Sequence, residues 1–166
     1  MIFATVGTQL PFDRLTNTLD DWAAYRKRRD VFAQVGLSQH RPSWIEWKPT
    51  LSPADFNDRL ASASVIVAHA GIGSILSALE LGKPIVVMPR RMKHGEHRND
   101  HQLATAERFA SKGMVSVAWD EEQLRRRLDD LESITARHSI ESMASTRLLE
   151  RVRSFIFADN PTEMLA

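Results

Sequence analysis

The stretch Ser64–Pro84, SVIVAHAGIGSILSALELGKP, decides the fold class. Its first part, Ser64–Ala68, is a short apolar run typical of a strand that is buried on both faces. Beyond two glycines, large apolar residues recur at the spacing of one helix face: Ile72, Ile75, Leu76 and Leu79. Gly82 followed by Lys83-Pro84 stops this helix. A buried strand that leads through glycines into an amphipathic helix predicts one unit of a parallel α/β sheet.

Similar apolar runs lie on both sides of this unit. They are Ile2–Val6, Val31–Val35, Ile85–Met88 and Val115–Ala118, with a weaker candidate at Trp44–Trp47. Helical patterns separate the runs and begin near Asp13, Pro53, Asn99, Asp120 and Ile140. This alternation predicts a single Rossmann-like, doubly wound α/β domain with a parallel sheet of about five to six strands. We expect the domain to span residues 1–158 and residues 159–166 to form a frayed tail.

The composition excludes several classes of protein. The chain has 22 basic and 21 acidic residues among 166, so no nucleic-acid partner is predicted. The basic runs Arg26–Arg29 and Arg125–Arg127 have acidic neighbours and are interpreted as solvated helix faces. The absence of cysteine removes disulfides and thiolate chemistry. No apolar run approaches the roughly 20 residues that span a bilayer, and the chain opens on a strand, so a cytoplasmic location is expected.

Ligands of open parallel sheets bind beyond the carboxyl ends of the strands, and three segments of this chain lie there. The first, Gly7-Thr8-Gln9, offers flexible backbone and a hydroxyl, although a tight turn explains it equally well. It lacks the Gly-x-Gly-x-x-Gly pattern, which argues against a nicotinamide-dependent dehydrogenase. In the second, Gly71 and Gly73 open a helix whose free N–H groups would seat a diphosphate. The alternative is that these glycines serve only close packing and that His69 is a structural histidine.

The third segment, Arg90–Gln102, is the most polar loop of the sequence and suggests an anionic ligand. Its histidines raise the question of a metal site, but the His-Glu-x-x-His pattern is missing, so no metal is predicted. Gln102 stands three residues after Asn99, so it could be the partner in a helix capping box instead of a ligand contact.

Together, Thr5–Gln9, His69–Pro84 and Asn99–Gln102 resemble the C-terminal, nucleotide-sugar-binding half of glycosyltransferase family 28, over about residues 1–130. More narrowly, the chain resembles the small subunit of two-chain glycosyltransferases of dolichol-linked N-acetylglucosamine transfer and of bacterial exopolysaccharide and capsule synthesis. The resemblance implies a GT-B architecture, in which two Rossmann-like halves face each other across a cleft. Because this chain is long enough for one half, we expect a separate, membrane-anchored, acceptor-binding subunit. That subunit would hold this chain at the inner face of the membrane.

The resemblance also implies which residues bind the donor. They are Gly7, Thr8, Gln9, His69, Gly71, Gly73, Ser74, Glu80, Arg90, Arg91, His101 and Gln102. The segment from His69 to Ser74 would hold the diphosphate, and His101 with Gln102 would bind the sugar hydroxyls. Many relatives place a ribose-binding glutamate where this chain has Ser77, and Glu80 is the candidate substitute. Arginines 90, 91 and 98 would suit the diphosphate or, equally, the carboxylate of a uronic acid.

The implied reaction is an inverting displacement in which an acceptor hydroxyl attacks the anomeric carbon of a UDP-sugar and UDP leaves. It needs no metal or other cofactor. The donor would carry a hexose or a uronic acid, and the acceptor would be a lipid-linked sugar of exopolysaccharide synthesis. The general base is expected on the partner chain, so no catalytic residue is assigned here. The alternatives are a non-catalytic, nucleotide-sugar-binding activator subunit and a metal-dependent hydrolase that uses the histidine loop.

Overall fold

The computed structural model describes residues 1–134. The helix predicted between Ile140 and Phe157, the domain limit at residue 158 and the tail lie outside the described residues. Within them, six strands form one sheet in which every neighbouring pair is parallel, in the order β3-β2-β1-β4-β5-β6. The strands are β1 (Ile2–Thr5), β2 (Val31–Gln34), β3 (Glu46–Lys48), β4 (Val65–His69), β5 (Ile85–Met88) and β6 (Ser116–Val117). The predicted α/β fold class is confirmed.

The described residues form five α-helices, four of them between strands and the fifth after β6. They are α1 (Asp13–Tyr25), α2 (Pro53–Ser62), α3 (Ile72–Glu80), α4 (His101–Ser111) and α5 (Glu121–Asp129), with short 3-10 turns at Met92–His94 and Leu131–Ser133. The side chains of Ser52 and Asp120 cap α2 and α5 by accepting hydrogen bonds from first-turn amides. Helix α4 begins at His101 after Asp100, two residues beyond the predicted start near Asn99, and Asn99 Oδ1 accepts from the His101 amide at 3.3 Å. The Asp100 carboxylate does not cap the helix and accepts instead from the Met92 amide at 2.7 Å.

Two apolar clusters cover the faces of the sheet. Along β1 the side chains alternate, so Ile2 and Ala4 pack toward α1 and α5 while Phe3 packs toward α2, α3 and α4. All four residues of β1 are buried, which explains why this strand appears in the sequence as a continuous apolar run. In contrast, β3 is an edge strand in which half-buried Trp47 lies between exposed neighbours. The sequence of β3 therefore lacks a continuous apolar run.

The strand order creates a crevice between β1 and β4. The chain passes from β1 to β2 on one side and later returns to place β4 on the other side of β1. The loops that leave the carboxyl ends of β1 and β4 therefore diverge, and in doubly wound sheets this switch point is where ligands bind.

The basic runs lie on exposed surface beside acidic residues. Arg26 pairs with Asp129 at 2.8 Å, Arg28 pairs with Asp30 at 2.7 Å, and Arg126 pairs with Glu122. These pairs agree with the interpretation of both runs as solvated faces. Among the helices of residues 1–134, none combines the length and the apolar character that crossing a bilayer requires.

Candidate functional site

A cleft of about 650 Å³ opens at the crevice between β1 and β4. This is within the range of about 300–1,000 Å³ that is usual for small-molecule sites. The lining residues come from five parts of the chain: 5–10, 34, 51–57, 69–77 and 90–102. No aspartate or glutamate of the described chain is among them, so the cleft has no fixed negative charge on its wall. Such a wall suits an anionic ligand.

The cleft brings together all but two of the residues predicted to bind the donor. Those that line it are Gly7, Thr8, Gln9, His69, Gly71, Gly73, Ser74, Arg90, His101 and Gln102. Glu80 does not, because it is exposed at the far end of α3, about 10 Å along the helix from Gly73. Arg91 does not either, since its Nη2 donates to the Trp119 carbonyl at 2.7 Å. Neither residue therefore fits its predicted role in this structure.

The first turn of α3 presents free backbone donors to the cleft. Its N-cap residue is Gly71, which has no side chain to cap the helix, and the first helical amide to find an acceptor is that of Ile75. The amides of Ile72, Gly73 and Ser74 donate to no residue in the described part of the chain. A Cβ on Gly73 would meet no atom within 4 Å, so this backbone faces open space. Free amides at the positive end of a helix form an anion site.

The ring of His69 fills the space between Gly7 and Gly71. A Cβ on Gly7 would lie 2.8 Å from His69 Cε1, and one on Gly71 would lie 2.2 Å from His69 Nε2. Burial, helped by the charge of Arg90, lowers the pKa of His69 to about 4, although the Thr5 carbonyl opposes the shift. His69 Nδ1 is buried and makes no hydrogen bond of good geometry with residues 1–134. His69 is therefore a neutral ring at pH 7 that both shapes the cleft and borders it.

Arg90 lines the cleft and also makes main-chain contacts that the sequence did not predict. Its guanidinium donates to the carbonyls of Val6 at 2.7 Å, Leu10 at 2.6 Å and Glu96 at 3.1 Å, and also to Pro11. Burial lowers the pKa of Arg90 to about 10 against the opposing charge of Glu96, so the group is still protonated at pH 7. Because main-chain carbonyls occupy it, Arg90 organises the loops around the cleft instead of offering its charge directly to a ligand.

His101 and Gln102 line the cleft from the first turn of α4. Gln102 Oε1 accepts from the Arg90 amide at 3.1 Å, so Gln102 is not the partner in a capping box. Its Nε2 has no hydrogen-bond partner among the described residues and is available to a ligand. The rings of His97 and His101 meet edge to face with centroids 4.5 Å apart. These contacts give the predicted sugar-binding pair a defined position.

We expect Gln102→Ala to lower the free energy of unfolding by about 1–3 kcal/mol, because it leaves the buried Arg90 amide without an acceptor. It should also weaken binding of a UDP-sugar more than binding of UDP if Gln102 Nε2 contacts the sugar. Urea denaturation and calorimetry with both ligands measure the two effects. Equal losses of affinity for the two ligands would exclude the sugar contact.

Sequence reasoning missed the wall that α2 contributes. Leu51, Pro53, Phe56 and Asn57 line the cleft from this side, and the Phe56 ring packs on Phe3 with centroids 5.4 Å apart. The sequence did signal a helix start at Ser52-Pro53. Nothing local showed that it would face the cleft, because that depends on the order of the strands.

The histidine loop does not assemble a metal centre within residues 1–134. No group of three or more histidine, aspartate or glutamate side chains in that region is placed to bind a metal ion. Independence from metal nevertheless stays a prediction.

Comparisons with known proteins agree with this fold. The family described as Glycosyltransferase family 28 C-terminal domain matches residues 1–156. A protein of Cytophaga hutchinsonii named UDP-N-acetylglucosamine--N-acetylmuramyl-(pentapeptide) pyrophosphoryl-undecaprenol N-acetylglucosamine transferase is 30% identical over 109 residues, which are 66% of this chain and 29% of that protein. The UDP-N-acetylglucosamine transferase subunit ALG13 of Yarrowia lipolytica is 25% identical over 137 residues, 72% of this chain and 65% of that subunit.

Solved structures share the fold. The crystal structure of Acinetobacter baumannii MurG has a TM-score of 0.62 at 17% identity and is matched over 92% of this chain and 49% of its own. The solution structure of ALG13 has a TM-score of 0.58 at 17% identity, over 91% of this chain and 93% of its own. The chain spans between 29% and 65% of the length of the curated relatives named above. Since the family match extends over nearly all of the sequence, the chain belongs to the glycosyltransferase family 28 C-terminal domain family, with the fold of a GT-B half.

Proposed function

We propose that the chain is the donor-binding domain of an inverting glycosyltransferase that uses a UDP-sugar. Its partner would be a membrane-anchored subunit that binds a lipid-linked acceptor. The observation that carries the proposal is the set of three free amides, Ile72 to Ser74, at the edge of a cleft without carboxylates. The family membership of the chain supports the same activity.

The amides of α3 would act on the leaving group. As the bond between the anomeric carbon and the diphosphate oxygen breaks, negative charge grows on the diphosphate. Donors that are already aimed at this position stabilise the transition state more than the ground state. The hydroxyl of Ser74 lines the same part of the cleft and adds a further donor. This chemistry requires no metal, in keeping with the predicted independence from cofactors.

The α2 side of the cleft would bind the nucleoside. Leu51, Pro53 and Phe56 provide an apolar wall that suits the flat face of a base, and Asn57 and Ser77 offer polar groups for the ribose. Glu80 is too far along α3 to replace the missing carboxylate. Recognition of the ribose would therefore depend on neutral side chains.

The sugar is better assigned as uncharged. The expectation of a uronic acid depended on arginines 90, 91 and 98, but the first two donate to main-chain carbonyls. Arg98 is exposed and does not line the cleft. The curated relatives are named for UDP-N-acetylglucosamine, which makes this nucleotide sugar the first donor to test. The biosynthetic process that we propose for this transfer is exopolysaccharide synthesis.

Titration of the isolated chain with UDP and a panel of nucleotide sugars tests donor binding. The panel is UDP-N-acetylglucosamine, UDP-glucose, UDP-galactose and UDP-glucuronate. Co-expression with candidate membrane subunits then tests transfer to a lipid acceptor, with and without a chelator. The proposal requires that this chain bind UDP. It also requires that sugar transfer occur only when both chains are present and the first turn of α3 is intact. Transfer that survives the loss of donor binding here would favour the non-catalytic activator subunit instead.

Replacing Ser77 with glutamate should raise affinity for UDP by about 5- to 10-fold, because a carboxylate accepts strong hydrogen bonds from two ribose hydroxyls. Affinity for the 2′,3′-dideoxy analogue of UDP should not rise. Ser77→Gln is the control of similar length without charge, and its gain should be smaller. Calorimetry that shows equal gains for the two nucleotides would place the ribose away from Ser77.

A further inference from the structure

A buried cluster of charged residues lies next to the cleft and joins α1 to the loops around it. We call Arg14, Arg90 and Glu96 the arginine-glutamate network. Arg14 Nε and Nη2 donate to the two Glu96 carboxylate oxygens at 2.7 and 2.9 Å. The guanidinium groups of Arg90 and Arg14 lie 4.7 and 5.4 Å from the centre of the buried Phe12 ring. The network is therefore a packed unit and not a set of surface ion pairs.

The network holds the first cleft loop, residues 6–11, through Arg90. Three carbonyls of this loop, those of Val6, Leu10 and Pro11, accept from the Arg90 guanidinium. The side chains of Thr8 and Gln9 between them are exposed to the cleft and make no hydrogen bond within the described chain. The loop is thus fixed at both ends, and its centre is left free to meet a ligand.

The same network holds the second cleft loop, residues 89–97. Arg14 Nη2 donates to the Pro89 carbonyl at 3.0 Å, and Glu96 accepts from the Arg91 amide at 2.9 Å. Arg90 closes the loop on itself by donating to the Glu96 carbonyl at 3.1 Å. His97, which lines the cleft, is the next residue. One set of side chains therefore fixes both loops relative to each other.

Burial makes this arrangement strongly dependent on all its members. Arg90 is 2% exposed and Glu96 is 8% exposed. Burial by itself would lower the pKa of Arg14, but the hydrogen bonds and charge of Glu96, and to a smaller extent those of half-exposed Glu121 at 3.6 Å, raise it above the ordinary value. Removing one partner of a buried ion pair leaves an uncompensated charge, so the loops lose their anchor when any member is lost.

We propose that Arg14, Arg90 and Glu96 are positioning residues that hold the two cleft loops in their ligand-binding arrangement before the donor arrives. The proposal rests on the proposed function, since it takes UDP as the ligand. Loops that are already ordered lose less conformational entropy on binding, so a preformed cleft binds more tightly than a mobile one. The network acts through the loops and makes no contact with the reacting atoms.

The test compares Glu96→Gln and Arg14→Met with the wild-type chain and with a matched control, Asp20→Asn. Asp20 is another buried carboxylate, and it accepts from the amides of residues 43–45, away from the cleft. Hydrogen exchange without ligand measures order in loops 6–11 and 89–97. Calorimetry with UDP, well below the melting temperature of each variant, measures the effect on binding.

We expect exchange in both loops to speed up by about 10-fold or more in each network variant, and affinity for UDP to fall by about 10-fold. Asp20→Asn should lower the melting temperature but change neither loop exchange nor affinity. The proposal would be overturned if both loops of a folded network variant exchanged at the wild-type rate. It would also be overturned if Asp20→Asn changed loop exchange and UDP affinity as much as the network variants do. If the wild-type chain fails to bind UDP, the proposed function falls, and the exchange measurement alone still decides whether the network orders the loops.

Discussion

Gly73→Val will lower affinity for UDP by about 30- to 100-fold, the equivalent of about 2–3 kcal/mol of hydrogen bonding to a charged group. The valine side chain would project into the open space beside the free amides of Ile72 and Ser74. There it would keep a diphosphate from approaching the backbone. The fold should be retained, because valine has a helix propensity no worse than that of glycine and meets no protein atom here.

Glu80→Val is the matched control for this prediction. It places the same side chain at the exposed far end of α3, outside the cleft, and should leave UDP affinity unchanged. Calorimetry gives the affinities, and circular dichroism checks that both variants are folded. Unchanged affinity in a folded Gly73→Val protein would remove the diphosphate from this helix.

The largest loss of stability is expected for Arg90→Met, which should lower the free energy of unfolding by about 3–5 kcal/mol. Methionine keeps an apolar stem against Phe12, but it leaves four main-chain carbonyls without their donor, and it leaves buried Glu96 with less positive charge nearby. Unfolding in urea, followed by fluorescence, measures the change.

Arg98→Met is the matched control. It removes a positive charge from a nearby exposed position that makes no ion pair with the described residues. The free energy of unfolding should change by no more than about 0.5 kcal/mol. If Arg90→Met were as mild as this control, the carbonyl contacts of Arg90 would contribute little to folding.

The sheet and α3 could be predicted because their physical cause is local. A strand that is buried on both faces requires a continuous apolar run, and Val65–His69 and Ile85–Met88 both have one. Helical spacing also predicted the apolar side of α3, but only in part: Ile75 and Leu79 are in the core, whereas Ile72 is 57% exposed and Leu76 is 36% exposed. Gly71 and Gly73 at the start of that helix also predicted its free amides. A helix start and the residues available to cap it are both local features of the sequence.

The sequence was a poorer guide to the arginines of the third segment. A basic loop indicates an anion, but the acceptors of Arg90 on the first cleft loop lie 79–84 residues away along the chain. Every residue has a main-chain carbonyl, so the sequence does not show which carbonyls will accept from an arginine. It therefore could not show that main-chain carbonyls, and not a ligand, would bind the Arg90 guanidinium. The start of α4 was misplaced for a related reason, since Asp100 binds the Met92 amide across a turn.

The contact between His69 and its two glycines makes the evolution of these three sites interdependent. Gly7 has a φ of +77°, so its backbone favours glycine whatever surrounds it. Gly71 has an ordinary φ of −85°, and the three atoms nearest to its would-be Cβ all belong to the His69 imidazole, the closest of them 2.2 Å away. Alanine at position 71 therefore becomes acceptable once a smaller residue replaces His69, and not before. A lineage that loses the histidine first can lose this glycine next, whereas the reverse order passes through a clash.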